Sequence, residues 1–307
     1  MYEAFFGLRE KPFALTPNTG FLVELPPYQA CLNLLRVALA EGEGFIKVTG
    51  EVGTGKTLLC RALLNLLDAE RYQVAWLPEP ASSPAALRQA LAHELGIAEA
   101  MTLDAQALLA ALQRRLVEIA ASGRSLVLLI DEAQVLDRDT LEGLRLLTNL
   151  ETERSKLLQV VLFGQPELDA LLERQDLRQL RQRITFSYRL TPLDRTDTGR
   201  YLNERMAHAG FTGGTVFSAA AVRRLTLDSG GIPRLLNILA HKALMAAFGE
   251  GARRVDGRHV RRALADTEGA RPFLQRPRTL GWACALGLAG ALGAAWPWFE
   301  RISEALR

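Results

Sequence analysis

In the first half of the chain, short apolar runs alternate with longer stretches whose apolar residues recur every three or four positions. The runs FIKVT (45–49), QVAWL (73–77), SLVLLI (125–130), LLQVVLF (157–163) and TFSYRL (185–190) predict strands. The stretches LLCRALLNLL (58–67), PAALRQALAHEL (84–95) and AQALLAALQRRLVEIA (105–120) predict helices between them. Repeated switching between these two periods is the signature of a parallel sheet with helices packed against it. From Pro192 onward the strand-like runs stop. Helical patterns follow at about 194–209, 218–229, 233–248 and 256–267, punctuated by GFTGG and SGGIP, and predict a second, all-helical domain.

Beyond the helices the pattern changes twice more. EGARPFLQRPR (268–278), with two prolines and three arginines, reads as an irregular basic linker. LGWACALGLAGALGAAWPWF (280–299) then runs twenty residues without a charge, the length needed to cross a bilayer. Trp282, Trp296 and Trp298 sit near its ends as interfacial aromatics do, and Arg271, Arg276 and Arg278 precede it, which keeps the bulk of the chain cytoplasmic by the positive-inside rule. An Ala-rich helix packed on the helical domain is the competing account. The expected organisation is therefore a core over 1–191 with an N-terminal extension, a helical unit over 192–268, a linker over 269–279, a transmembrane helix over 280–299 and a short periplasmic tail over 300–307.

Composition narrows the picture only a little. The 307 residues are 49% hydrophobic and 23% charged, ordinary for a folded globular chain and unlike a disordered one. A formal net charge of +3 is too small to argue for a nucleic-acid partner, although RRVDGRHVRR (253–262) is locally basic. Cys31, Cys60 and Cys284 are far apart and odd in number, and the four histidines lack ligand spacing, so neither a disulfide framework nor a zinc site is indicated. The N-terminus, MYEAFFGLREKPF, has no basic region followed by an apolar one and does not read as a signal peptide.

The chemistry starts where the first predicted strand ends. Gly50, Glu51, Val52, Gly53, Thr54, Gly55, Lys56 and Thr57 fit GxxxxGK[ST] between a strand and a helix, with Leu58 following. Loop N–H groups and the helix N-terminus can surround phosphate oxygens, and glycines let the backbone come close. Lys56 then reaches the β- and γ-phosphates, and Thr57 is placed to bind Mg²⁺. A second element, LVLLIDEAQ, ends an apolar strand in Asp131 and Glu132, a costly place for two acids unless a cation or water uses them. Asp131 suits the water shell of Mg²⁺, and Glu132 suits polarising a water for attack on phosphorus. No NKxD-like guanine reader is present, so ATP is favoured over GTP.

Three further positions join them. Gln165, placed by LFGQPEL at the end of the fourth predicted strand, can sense the γ-phosphate or place the attacking water, although a turn-forming Gly-Gln-Pro explains the same residues. In DLRQLRQRITF, Arg181 or Arg183 can project into a neighbouring subunit's nucleotide, against the alternative of a solvated basic face. Arg234, in the first turn of the helix opened by GGIPRLLN, can swing toward the γ-phosphate, or it can be an ordinary surface arginine.

In this order the elements resemble the AAA+ branch of P-loop ATPases. FGLREKPFALTPNTGF, GEGFIKVTGEVGTGKT, LVLLIDEAQ, LRLLTNLET, VVLFGQPEL and GGIPRLLNILAHKAL are more specifically similar to the ExeA/GspA group of secretion and pilus ATPases, over about residues 1–270. Within that group TPNTGFLVELPPYQA and GEGFIKVTGEVGTGKTLLCRALLN look most like the ATPases of mannose-sensitive haemagglutinin (MSHA) type IV pilus systems. The resemblance implies an α/β fold: an αβα sandwich on a parallel five-stranded sheet, a helical lid, and here a C-terminal transmembrane helix. It implies the roles called Walker A for Gly50 to Thr57, Walker B for Asp131 and Glu132, sensor 1 for Gln165, arginine finger for Arg183 or Arg181, and sensor 2 for Arg234. It further implies ATP and Mg²⁺ as ligands, self-association with nucleotide between subunits, and pilus or secretion assembly proteins at the bacterial inner membrane as partners. Transposition ATPases and helicase loaders share this core, which leaves a DNA-directed ATPase as the alternative; the apolar segment argues against it. ExeA carries a long periplasmic region with a peptidoglycan-binding domain after its span, and only eight residues follow Phe299 here, so that function is not implied. Gln165 also departs from the Asn or Thr common at its position, with polarity retained.

Overall fold

A computed structural model describes residues 1–80, 83–149 and 156–267. The chain opens with α1 (Tyr2–Phe6), a single tight turn at Thr19–Phe21 and α2 (Pro26–Ala40), which starts on two prolines suited to a helix's first turn. It continues through β1 (Phe45–Gly50), α3 (Lys56–Leu66), β2 (Tyr72–Leu77), α4 (Pro84–Glu94), α5 (Ala105–Ala121) and β3 (Ser125–Ile130). Next come α6 (Arg138–Leu147), β4 (Leu158–Gly164), α7 (Pro166–Leu172), α8 (Arg178–Arg183) and β5 (Ile184–Leu190). Four helices close the described chain: α9 (Arg195–His208), α10 (Ala219–Ser229), α11 (Pro233–Gly249) and α12 (Gly257–Ala265). The five predicted strands and the seven predicted helices agree with these elements to within two residues at each end. The elements the pattern does not single out include α1, α7 and α8, which at 5, 7 and 6 residues are too short to show a helical period.

All strand pairs are parallel, in the order β2-β3-β4-β1-β5. A parallel sheet is covered on both faces, so its strands are apolar on both sides, and alternate residues feed two cores. Val127 and Leu129 of β3 join Ile46 and Val48 of β1 and Val161 and Phe163 of β4 on one face. Leu126, Leu128 and Ile130 join Val160 and Leu162 on the other, beneath α4 to α8. The first core runs on without a break through α2 and α3 into α9 to α12, with Leu59, Leu63, Tyr201, Leu202 and Leu236 all buried. The N-terminal segment belongs to the same body: the Tyr2 hydroxyl hydrogen-bonds His241 Nδ1 at 2.8 Å, and Phe5 packs edge-on against Phe248.

This strand order does the positioning. β3, β4 and β1 are neighbours, and in a parallel sheet their C-terminal ends lie along one edge, where ligands of open α/β sheets bind. The segments after these three strands are the ones that carry Gly50 to Thr57, Asp131 with Glu132, and Gln165. Among the described residues no helix is long and apolar enough to cross a membrane. The predicted span at 280–299, its linker and its tail lie outside the described residues.

Candidate functional site

The loop between β1 and α3 is tied down from several directions. The Thr54 hydroxyl donates to the Glu51 carbonyl at 2.8 Å, and the Tyr28 hydroxyl of α2 donates to the Thr54 carbonyl at 3.0 Å. Helix α3 begins after Gly55 without any side-chain cap, so the N–H groups of its first turn face outward without an intrahelical partner. That is a cradle for an anion. Lys56 is buried, and its ammonium donates to the carbonyls of Gly50 at 2.8 Å and Glu51 at 3.1 Å. Burial holds this amine below the usual lysine range, with the nearby carboxylates of Glu132 and Asp131 pulling the other way.

Asp131 follows β3 and is buried, 2% exposed, accepting from the Glu132 N–H at 2.9 Å. Burial pushes its carboxyl above the usual range, against the Thr57 side chain and the Glu132 N–H, which favour the charged form. Such a buried carboxyl beside a hydroxyl supplies two oxygen donors, and Thr57 and Asp131 fit a Mg²⁺ ion whose remaining ligands are water and phosphate oxygens. Glu132 is the one non-glycine with positive φ among the described residues, at 50°. This strained backbone turns its side chain toward two amides. Glu132 Oε2 accepts from Gln134 Nε2 at 2.5 Å and from Gln165 Nε2 at 3.1 Å. Burial alone would raise the Glu132 carboxyl, but these two amides and Lys56 together hold it below the usual range. Gln134 also accepts from the Gln165 N–H at 3.0 Å, so one side chain bridges the ends of β3 and β4.

The helical layer reaches the same place. At the start of α11 the Arg234 N–H donates to the Gly53 carbonyl at 3.1 Å. Gly53 has φ +82°, and a Cβ there would stand 2.7 Å from Arg234 Cβ. A cavity of about 330 Å³ results, walled by Val52, Gly53, Gly55, Lys56, Thr57, Leu58, Glu132, Gln165 and Arg234. Its remaining wall includes residues 14–18 of the N-terminal segment together with Tyr28, Tyr201 and Asn237. Gly50, Thr54 and Asp131 lie buried behind this wall, and the exposed Glu51 contributes its carbonyl to Lys56. Arg181 and Arg183 are not brought in: both are exposed on α8, and Arg183 Nη1 contacts the Thr148 hydroxyl at 3.5 Å.

Gln134, Tyr28, the N-terminal wall, and Tyr201, Arg205 and Asn237 of the helical layer are among the parts that sequence reasoning does not find. Gln134 is visible in LVLLIDEAQ, but nothing about its position tells that it spans two strands. The N-terminal wall carries no periodicity at all. Among the described residues no group of three or more His, Cys, Asp or Glu side chains is placed to hold a metal by itself.

Residues 39–172 match the family described as the AAA domain. Over 299 residues, 97% of this chain, there is 39% identity to general secretion pathway protein A of Aeromonas hydrophila. The chain spans about half (54%) of that relative's length. Among solved structures, Cdc6p from Pyrobaculum aerophilum superposes with a TM-score of 0.64 at 21% identity, over 83% of this chain and 70% of that one. The Aeropyrum pernix ORC1 protein, solved in complex with DNA, gives 0.61 at 23% identity, over 84% and 69%. At these identities the structural likeness speaks for the fold alone.

Proposed function

We propose that this chain, which carries an AAA ATPase domain and is a relative of general secretion pathway protein A, hydrolyses ATP to assist a membrane assembly. The assembly is a type IV pilus of the MSHA kind or a type II secretion-like complex, served in its building or its localisation. The observation that carries the reading is the convergence, in one cavity, of an uncapped helix start, a buried lysine and an amide-held carboxylate. The loop N–H groups and Lys56 take the phosphates. Glu132, kept ionised by Gln134 and Gln165, accepts the proton of the attacking water, and Gln165 places that water. Thr57 and Asp131 would hold Mg²⁺, which when bound neutralises charge on the phosphate oxygens. Arg234 meets the same phosphates from the helical lid over 192–268. Arg181 or Arg183, lying outside the cavity, serves only by entering a neighbour's, so the active form is an oligomer.

The same reading places the protein at the bacterial inner membrane through residues 280–299, with the ATPase in the cytoplasm. What supports this is sequence: an uncharged stretch of twenty residues preceded by three arginines. A DNA-directed role is not favoured, because the relative matched along 97% of this chain is a secretion protein and the DNA-bound neighbour shares only the fold.

Turnover by detergent-solubilised protein tests the site. Lys56→Ala is expected to lose ATP binding, and Glu132→Gln to keep binding while turnover falls about 100-fold or more. Unchanged hydrolysis in Glu132→Gln would refute the assignment. Affinity capture with Glu132→Gln and ATP tests the role: pilus or secretion components support it, and DNA alone sinks it. A reporter joined after Arg307 tests the anchor, with activity in the cytoplasm as the refuting result.

A further inference from the structure

Arg205 is a cation buried in an unusual way. It projects from α9, is 5% exposed, and among the described residues no carboxylate lies within ion-pair distance. A guanidinium taken out of water needs its donors used, and these are used on one stretch of backbone. Nε donates to the Pro12 carbonyl at 2.6 Å, Nη2 to Ala14 at 3.2 Å and Nη1 to Phe21 at 3.3 Å. The guanidinium also lies over the Phe21 ring, 4.7 Å from its centroid. Three carbonyls separated by up to nine positions are thereby gathered on one planar fork.

A second arginine also holds this stretch. Arg61 of α3, the helix that opens with Lys56 and Thr57, donates from Nη1 to the Pro17 carbonyl at 2.8 Å. Ala14 to Asn18 of this stretch form one wall of the cavity, and Arg205 itself joins the lining beside them. This strap has no helix or strand hydrogen bonds of its own before the turn at Thr19–Phe21, so its path depends on the side chains that take its carbonyls.

We propose that Arg205 is a positioning residue that shapes the strap over residues 12–21, with Arg61 as its counterpart, and so sets how tightly the cavity holds ATP. The inference rests on the ATPase reading of that cavity. Glu132 and Gln165 take their hydrogen bonds from Gln134 and from each other, so loosening the strap weakens the hold on nucleotide and leaves the water-activating groups in place. Lysine at 205 keeps the charge but loses the planar fork, and it cannot span the three carbonyls.

The experiment measures kcat and KM for ATP, and binding of the slowly hydrolysed analogue ATPγS, in wild type, Arg205→Lys and Arg61→Lys. Arg205→Lys is expected to raise KM and the ATPγS Kd about tenfold with kcat within about twofold, in keeping with the loss of charge-assisted hydrogen bonds. Amide exchange should quicken at residues 12–21 and stay unchanged in β1, β3 and β4. A merely structural role would instead lower kcat through a smaller folded fraction at constant KM, and that result overturns the proposal. So does an unchanged KM in folded Arg205→Lys. Should that variant not fold, Arg61→Lys, altered at the half-exposed grip, decides by the same split between KM and kcat. Wild type that binds no ATPγS refutes the ATPase reading itself, whereas wild type and both variants binding it equally refute only the strap.

Discussion

Gly53→Ala tests whether the helical layer truly rests on the phosphate loop. An alanine at φ +82° pays the left-handed strain of an L-residue, about 1 kcal/mol. Its Cβ would stand 2.7 Å from Arg234 Cβ and 3.2 Å from Ile232 Cγ2, whereas carbon atoms rest at about 3.5–4.0 Å. Both neighbours are anchored close to the backbone and cannot swing aside. Residues 232–234 must therefore retreat by about 1 Å, which takes the Arg234 N–H out of reach of the Gly53 carbonyl, now 3.1 Å away. Losing that bond costs about 1 kcal/mol more. The total of about 2 kcal/mol corresponds to a fall in Tm of roughly 4–8 °C. Gly7→Ala supplies the control: its φ is +71° and a Cβ there meets nothing within 4 Å, so it carries the backbone strain without the contact. Calorimetry on the two variants in one buffer separates the terms, and Gly53→Ala should lose about twice as much stability. Equal losses would mean that α11 does not press on the loop, and the convergence of Arg234 with Lys56 would fall with it.

Two other perturbations probe the polar contacts. Gln134→Ala removes one of the amides that hold Glu132 below the usual carboxylate range, so its pKa rises and the acidic limb of the kcat–pH profile moves to higher pH. A profile unshifted from wild type would rule out Glu132 as the titrating base. His241 is held below the usual histidine range, chiefly by burial and then by Lys11, and its Nδ1 shares a hydrogen bond with the Tyr2 hydroxyl at 2.8 Å. With the folded pKa below the unfolded one, the unfolded chain binds the extra proton. The contribution of His241 is thus fully present above about pH 6.5 and is lost as pH falls through the folded value. Limited proteolysis is expected to release the N-terminal segment faster at pH 5.5 than at pH 7.5 in wild type. The pH effect should shrink in His241→Gln, and an equal effect in both would show that the Tyr2 contact does not titrate.

How far such contacts can be foreseen depends on how far apart in the chain their partners lie. β3 is legible because SLVLLI serves two cores and must be apolar throughout, and the phosphate loop is legible because its eight residues do their work side by side. Glu132 and Gln165 stand 33 positions apart yet meet at 3.1 Å. Each can be placed at a strand end from its apolar run, but their meeting follows from β3 and β4 being neighbours in the sheet, and no periodicity carries strand order. The strap is harder still. Residues 12–21 show neither helical nor strand period, and their carbonyls find donors on Arg61, 44 positions beyond Pro17, and on Arg205, 193 positions beyond Pro12. A backbone that builds no ladder of its own must be satisfied by side chains from elsewhere, and in sequence an arginine that does this is indistinguishable from one on a solvated helix face. Arg205 separates itself only through burial: a helix that hides an arginine without a carboxylate must be spending its donors on backbone, and the backbone it reaches lines the site.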